Sequence, residues 1–397
     1  MKENNEEKII SFPNKEDDEV NKSVKEKEKD DAPKFSYKRI IFYFSIVLCL
    51  SMIIYLIVRD TSFDSTNTVN ESPIILSGAN NFDYARYREG FVLAKDGKIS
   101  AFNTNQELQW EFTGSKTAPT IVVNDKYCLV YYCDDKMAVV TNGKDMSTLK
   151  TSGNVMYGHV NSNGWSVLFV EEAGLNNKII VYDDEGEQIY LRQNADRYIP
   201  YAFMSDDNDY LVLLEMFQSE AGLSTEINIV DITETEDNKK TINFGEQFVN
   251  GFFMYSENEF VVIKENSIEG YDIDGELSWN TPLNKLVLKY AYNDDDIFAL
   301  IFNEDDSATA GSEIKFFETD GTELSSYKTD KKITDIDLCD NNAVLRADRK
   351  LILINTKGKY ISTSKVLYDI RDSAFMTTKK CSLILTSSEE LRLIPLE

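Results

Sequence analysis

From Pro73 onward the chain is built of short apolar or alternating runs, cut by Asp, Asn and Gly, with almost no helical period. FVLA (91–94), KISAF (98–102), LQWEF (108–112), TIVV (120–123) and YCLVYY (127–132) predict successive strands. Side chains alternate between the two faces of a strand, and β-branched and aromatic residues suit that surface. Short strands at a spacing of roughly 8–12 residues define a sandwich, a barrel or a propeller. One segment breaks the pattern. Ile40–Val58 runs for nineteen residues without a charge. At about 1.5 Å rise per residue it covers roughly 28 Å as a helix, close to the hydrocarbon thickness of a bilayer. An apolar run satisfies its backbone in lipid only as a helix, so it predicts one transmembrane span.

An internal repeat chooses the propeller. One turn recurs: an apolar residue, then Asn, Asp or Glu, two variable residues, and usually Gly. It stands at Phe102-Asn103-Thr104-Asn105-Gln106, with Gln last, and again at Tyr182–Gly186, Tyr271–Gly275, Phe317–Gly321 and Ile354–Gly358. The intervals between the leading residues are 80, 89, 46 and 37. Reading the first two as double steps gives a unit of roughly 40 residues, the length of a four-stranded blade. Val140-Thr141-Asn142-Gly143 fills the first gap and INIVDITETED (227–237) the second. The Gly supplies the positive φ of a hairpin turn, and the Asp or Asn side chain caps it.

Four strands per unit account for nearly all of residues 73–397. The first blade reads FDYARY, FVLAKD, KISAFN, ELQWEF, and the fifth reads FVNGFFMY, EFVVIKE, SIEGYDI, ELSWNT. The last unit has SAFMTT, SLILTS and LRLIPL and lacks an outer strand, while PIILSG (73–78) is a strand without a partner. PIILSG therefore completes the last blade and closes the ring, which removes an exposed edge. The expectation is an all-β fold, an eight-bladed propeller with seven blades as the alternative, preceded by one transmembrane helix.

The outer strands at Glu107-Leu108-Gln109-Trp110 and Glu276-Leu277-Ser278-Trp279 share Glu-Leu-x-Trp. With the preceding turn this resembles a quinoprotein-type repeat, which implies that each Trp docks one blade on the next. The repeat's usual Thr-Gly is absent at Asn105-Gln106 and reduced to Gly275. The whole layout resembles a family of uncharacterised single-span Gram-positive membrane proteins with a propeller-like ectodomain. The fold also resembles the propeller lipoprotein of the outer-membrane barrel assembly machinery. That resemblance implies a scaffold, by fold analogy alone.

Charge orients the span. Lys34, Lys38 and Arg39 precede it, while Arg59 alone follows, next to Asp60. The basic side stays cytoplasmic. The run is longer than a signal-peptide core, and VRDTSFDST carries no small-x-small cleavage site. Residues 1–39 thus form a disordered cytoplasmic tail, dense in mixed charge and poor in apolar residues. Residues 40–58 are a signal anchor, 59–72 a linker and 73–397 an extracytoplasmic domain. Of the net charge of −26, residues 1–39 carry little, with 10 basic and 11 acidic side chains. A domain this acidic repels nucleic acid and anionic headgroups.

Candidate chemistry is sparse. His159 is the sole histidine, which argues against a histidine triad or a multi-histidine metal site. It lies in VMYGHVNSN, on a strand expected at the inside of a blade, in a structural role. Cys49 falls in the span, and Cys128 and Cys133 point to opposite faces of one strand, so no disulfide framework is expected. A long-range pair, Cys339 with Cys381, stays open. The acidic stretches 206–209, 293–296 and 303–306 lack the spacing of a calcium loop and read as solvated turns. Asp272-x-Asp274-Gly275…Trp279 is similar to the Asp-box turn of sialidase propellers, except that Asp274 takes the place of its Gly. No basic cluster marks a quinone-cofactor pocket. No catalytic, cofactor-binding or metal-binding residue is assigned. The sequence therefore favours a membrane-anchored binding or scaffold module, with a protein or glycan partner in the cell envelope. A glycoside hydrolase or quinoprotein oxidoreductase, and a single-pass sensor, are the alternatives.

Overall fold

The computed structural model describes residues 44–52, 73–76, 82–115, 118–124, 126–133, 135–172, 178–193, 197–220, 222–234, 239–293, 296–303, 311–376, 381–386 and 390–396. The tail 1–39 and the linker 59–72 lie outside them. The chain divides into two units, residues 1–59 and 60–397. In the first unit, residues 44–52 are an exposed helix, with the Ser51 hydroxyl donating to the Leu48 carbonyl at 2.8 Å. Among the described residues no helix is long and apolar enough to cross a membrane, and the rest of the run 40–58 lies outside them.

The second unit is an all-β propeller. Among the described residues its strands form eight four-stranded antiparallel sheets. In chain order, sheets one to seven span 82–113, 119–150, 154–193, 198–245, 249–282, 287–329 and 335–365. Sheet eight takes 370–395 and recruits Ile74–Ile75 as its outer strand. The recruited strand runs antiparallel to the last one, with Ile74 opposite Leu391 and Ile75 opposite Glu390. PIILSG and the C-terminal segment therefore meet where the repeat pattern places them.

Period-2 alternation builds the ring. In the second strand of sheet one, Phe91 and Leu93 face sheet eight, where they pack with Leu76, Leu391 and Leu393. Val92 and Ala94 face sheet two, where they pack with Ile121, Val130 and Val139. In sheets one to seven the second strands are thus buried on both faces and read as near-continuous apolar runs, as in SVLFVE or EFVVIK. Outer strands are wetted on alternate residues: LQWEFT, QIYLRQ and LSWNTP share one exposure pattern. Eight apolar clusters result, one between each neighbouring pair of sheets. Each fully buried Leu, Ile, Val or Phe contributes about 1.5–3 kcal/mol.

The recurring turn joins the third strand to the outer one in the same way each time. At 103, 183, 272, 318 and 355 the first turn residue accepts a backbone bond from the residue three on, and donates one to the carbonyl four on. The fourth position has positive φ: 63° at Gln106, 86° at Gly186, 80° at Gly275, 82° at Gly321 and 72° at Gly358. Asn103, Asp183 and Asn355 each accept two further backbone N–H bonds on Oδ1. A one-residue bulge in the outer strand follows: Phe102 pairs with Leu108 and Ala101 with Trp110, which leaves Gln109 unopposed.

These turns also dock the sheets. Trp110 of sheet one lies under Gly143 of sheet two, and Trp279 of sheet five under Gly321 of sheet six. Gly186, Gly275 and Gly358 sit on Leu149, Ile242 and Ser326 of the preceding sheets. Hydrogen bonds cross the same seams: Ser147 Oγ to the Asp184 carbonyl at 3.0 Å, Thr281 Oγ1 to Gly321 at 3.0 Å, and Ser325 Oγ to Thr356 at 2.7 Å.

Candidate functional site

The innermost strands begin at residues 82, 119, 154, 198, 249, 287, 335 and 370 and line the centre of the ring. Because each sheet is antiparallel, the turns leaving these strands gather at one mouth. Two cavities open there, of about 610 and 460 Å³. The first is lined by Arg86, Arg88, Asp337, Asp340 and Ser373, the second by His159, Ser162, Asp206, Tyr255 and Ser256. Asn124, Tyr292 and Asn293 belong to both, so the two are halves of one mouth touching all eight innermost strands.

The rim is stitched from sheet to sheet. Asn161 Nδ2 donates to the Ser205 carbonyl at 2.8 Å and to Asn208 Oδ1 at 2.6 Å. The Ser162 N–H donates to Asp206 Oδ1 at 2.9 Å. Asn293 Nδ2 donates to the Asp340 carbonyl at 2.8 Å, and Arg88 Nη2 to that of Asn142 at 2.9 Å. The acidic stretch 206–209 is thus employed in holding its own turn and its neighbour, as Asp207 does for Ser205 Oγ at 2.5 Å. Of 293–296 and 303–306, residues 294–295 and 304–306 lie outside the described residues.

Below the mouth, tyrosines converge. The Tyr157 hydroxyl donates to the Ala202 carbonyl at 3.4 Å, and its ring meets Tyr201 edge-on with centroids 6.5 Å apart. Tyr290 fills the space over Gly251, where a Cβ would come within 2.3 Å of its ring. Phe253 stacks on Tyr292 with centroids 4.4 Å apart. Burial raises the pKa of Tyr157 and Tyr290 well above the usual phenol range and pushes Tyr131 up to about 12. These hydroxyls are neutral hydrogen-bonding groups.

His159 is on the third innermost strand, its ring 4.6 Å from that of Phe203. Burial lowers its pKa to about 4, opposed by Asp206. Its Nδ1 is buried without a hydrogen-bond partner. A neutral imidazole against a phenyl ring suits packing, in line with a structural role.

Two carboxylates matter that the sequence reading did not single out. Asp83 Oδ2 accepts the Ile121 N–H at 2.7 Å, and Asp337 Oδ2 accepts the Phe375 N–H at 2.7 Å. Each also caps its own following N–H, at 2.9 and 3.0 Å. Both thereby tie one innermost strand to the next. Burial raises both pKa values, against the pull of those N–H groups and, at Asp337, of Arg86. Arg86 itself donates to the Leu338 carbonyl at 2.8 Å. The available signal was an Asp flanked by apolar residues in an innermost strand: Phe82-Asp83-Tyr84 and Ile336-Asp337-Leu338. Cys128 is buried, with its thiol pKa raised by burial, and Cys133 lies just beyond the strand that holds Cys128. The side chain of Cys381 lies outside the described residues. No cluster of three metal-ligand side chains occurs among the described residues.

Taken together, the fold and its central mouth define a β-propeller with a polar and aromatic recess at one end. The chain belongs to a family of unknown function, DUF5711, whose model matches residues 59–396. No curated protein matches it. Among solved structures it is similar to BamB from Moraxella catarrhalis, at 11% identity and a TM-score of 0.53, over 82% of this chain and 97% of that one. It is also similar to AztD from Citrobacter koseri, in its apo form, at 12% identity and a TM-score of 0.49, over 72% and 86% of the two chains. The likeness to BamB is one of fold.

Proposed function

We propose that this protein is a membrane-anchored binding module. An eight-bladed propeller holds a protein or glycan partner of the cell envelope at its central mouth, and residues 40–58 tether it to the bilayer. The observation that carries this reading is the mouth. It gathers amides, hydroxyls and tyrosine rings from all eight innermost strands on a rim cross-linked between sheets. Such a recess offers directional hydrogen bonds and flat aromatic area at little ordering cost, which suits recognition. The carboxylates of Asp206 and Asp337 are engaged in stitching strands and turns, which favours binding over glycoside hydrolysis.

The test is photo-crosslinking from two positions of the full chain in intact cells. One is Tyr292, at the mouth, and the other is Leu367, on the opposite face. A discrete adduct at 292 that is absent at 367, with binding weakened at least tenfold by Asn124→Ala, supports the reading. Adducts confined to 367, or a purified protein that turns over glycosides, would sink it. Residues 40–58 are tested separately: the full chain should stay with membranes after carbonate washing, and a chain lacking residues 1–58 should not.

A further inference from the structure

The innermost strands all begin at the end of the propeller opposite the mouth, so that end also holds the links between sheets and the turns from second to third strands. Tyr198, Leu223, Phe248, Leu286, Leu288 and Leu367 stand 41–80% exposed there. Tyr198 opens the innermost strand of sheet four, and Leu223 opens the third strand of the same sheet. Phe248, Leu286 and Leu367 lie in the links that enter sheets five, six and eight, and Leu288 is the second residue of the innermost strand of sheet six. Large apolar side chains gathered on one face of a folded protein mark an interaction surface.

Leu223 is carried outward. The second and third strands of sheet four, Tyr210–Gln218 and Leu223–Asp231, have nine residues each, against six in sheet one. Tyr198 pairs with Met216, so Phe217 and Gln218 overhang the innermost strand by two residues, roughly 7 Å. The Arg197 guanidinium braces this hairpin. It bonds Glu215 and Glu226, which stand opposite each other, and lies 4.2 Å from the centre of the Phe217 ring. Cations flank the apolar side chains: Lys285 and Lys289 beside Leu286 and Leu288, and Lys331 and Lys332 in the next link. The turns at the mouth end carry acids such as Asp183, Asp184, Asp272 and Asp274. A six-residue strand spans about 20 Å, more than twice the roughly 8 Å range of unscreened charge. The mouth's acids therefore do not govern the far end. Lys285 pairs with Glu313 and Lys331 with Asp330, so apolar burial is the main attraction at that end.

We infer that the end opposite the mouth rests on the bilayer surface, with these six side chains at the boundary of headgroups and acyl chains and the mouth turned away from the lipid. This rests on the tether proposed above. The chain enters the propeller at the same end, because Ile74 and Ile75 pair with Leu391 and Glu390, the first residues of a third strand. Fourteen residues, 59–72, separate the apolar run from Pro73. They can span at most about 50 Å, which makes contact with the lipid an intramolecular event, so a modest apolar surface suffices. Lysines reach the headgroup level from such a surface while their stems stay with the apolar groups.

The test is quenching by brominated lipid. The full chain is reconstituted into vesicles of phosphatidylcholine, brominated on its acyl chains, and phosphatidylglycerol. Single tryptophans are introduced by Tyr198→Trp, Phe248→Trp and Leu286→Trp, with Leu108→Trp as the control. Leu108 is equally exposed but opens an outer strand at the mouth end. The emission of Trp110, Trp165 and Trp279 is subtracted with the parent protein. A side chain seated about 5–10 Å into the boundary lies within reach of the bromines. The tryptophans at 198, 248 and 286 should lose roughly half their emission or more, and the one at 108 should keep its own. In a Phe248→Glu/Leu286→Glu background, quenching at 198 should disappear while the chain stays with the vesicles through a carbonate wash. Quenching at 108 alone, or none at any position, overturns the inference, including the case in which a second copy covers this face. A chain that stays with the vesicles while 248 and 286 escape quenching sinks this orientation alone. A chain that washes off sinks the tether and this inference together. Crosslinking at Tyr292 reads the other end and is untouched by either result.

Discussion

Replacing Gly321 by alanine asks two things of the chain at once. The residue has φ +82°, a left-handed conformation that costs an L-residue about 1–2 kcal/mol. Its new Cβ would also lie 2.4 Å from Trp279 Cε3, 2.6 Å from Cζ3 and 2.9 Å from Thr281 Oγ1. Forcing such a contact open costs about 1–3 kcal/mol more. Gly275 is the matched control: the same turn position one sheet earlier, φ +80°, with its nearest would-be neighbour, Ile242 Cγ1, at an ordinary 3.5 Å. Gly275→Ala should therefore cost about 1–2 kcal/mol and Gly321→Ala about 2–5 kcal/mol. Urea unfolding followed by circular dichroism measures both. The cycle that isolates the docking contact adds Trp279→Leu. In that background Gly321→Ala should cost about as much as Gly275→Ala, giving a coupling of roughly 1–3 kcal/mol. Equal costs at 275 and 321, or additive behaviour of the 279 and 321 substitutions, would refute the claim that a tryptophan seats one sheet on the next turn.

Three further outcomes are expected. Gln106 is the one non-glycine at the left-handed position of the five equivalent turns, φ +63°, so Gln106→Gly should raise stability by about 0.5–1 kcal/mol in the same assay. Leu76 is fully buried beside Phe91, Leu93 and Leu391, whereas Ile75 is exposed; Leu76→Ala should cost about 2–5 kcal/mol and Ile75→Ala under about 0.5. His159 has its pKa lowered to about 4 from 6.5, so between those values the unfolded chain binds a proton that the folded one does not, and stability falls as pH drops through that window. The gap between the parent protein and His159→Gln, measured at pH 7 and pH 4.5, should move in the variant's favour on acidification.

The sequence made the frame of this molecule readable because the frame is local. Each sheet is laid down by consecutive strands, each turn by four adjacent residues, and the bounds read for sheets one and five match the strands to within a residue or two. The unpartnered PIILSG and the missing outer strand could be matched because each was a gap in a counted pattern. The mouth could not be read that way. Arg86, His159 and Tyr292 share a recess because the ring closes, and nothing near any of them in the chain announces it. Trp110 and Trp279 were legible as docking residues, but Leu149, Ile242 and Ser326, which take the same place elsewhere, carry no signature of their own.

The union of Ile74–Ile75 with Glu390–Leu391 carries a consequence for biosynthesis. The earliest β-segment of the propeller leaves the ribosome ahead of the other strands, and its neighbour emerges only after the strands of the other seven sheets. Until that strand is made, sheet eight is incomplete and sheet one has one flank uncovered, so Phe91 and Leu93 lack their partners Leu391 and Leu393. A contact of such long sequence separation is slow to form, and a chain halted short of residue 390 would present sticky apolar surface to any chaperone or protease nearby.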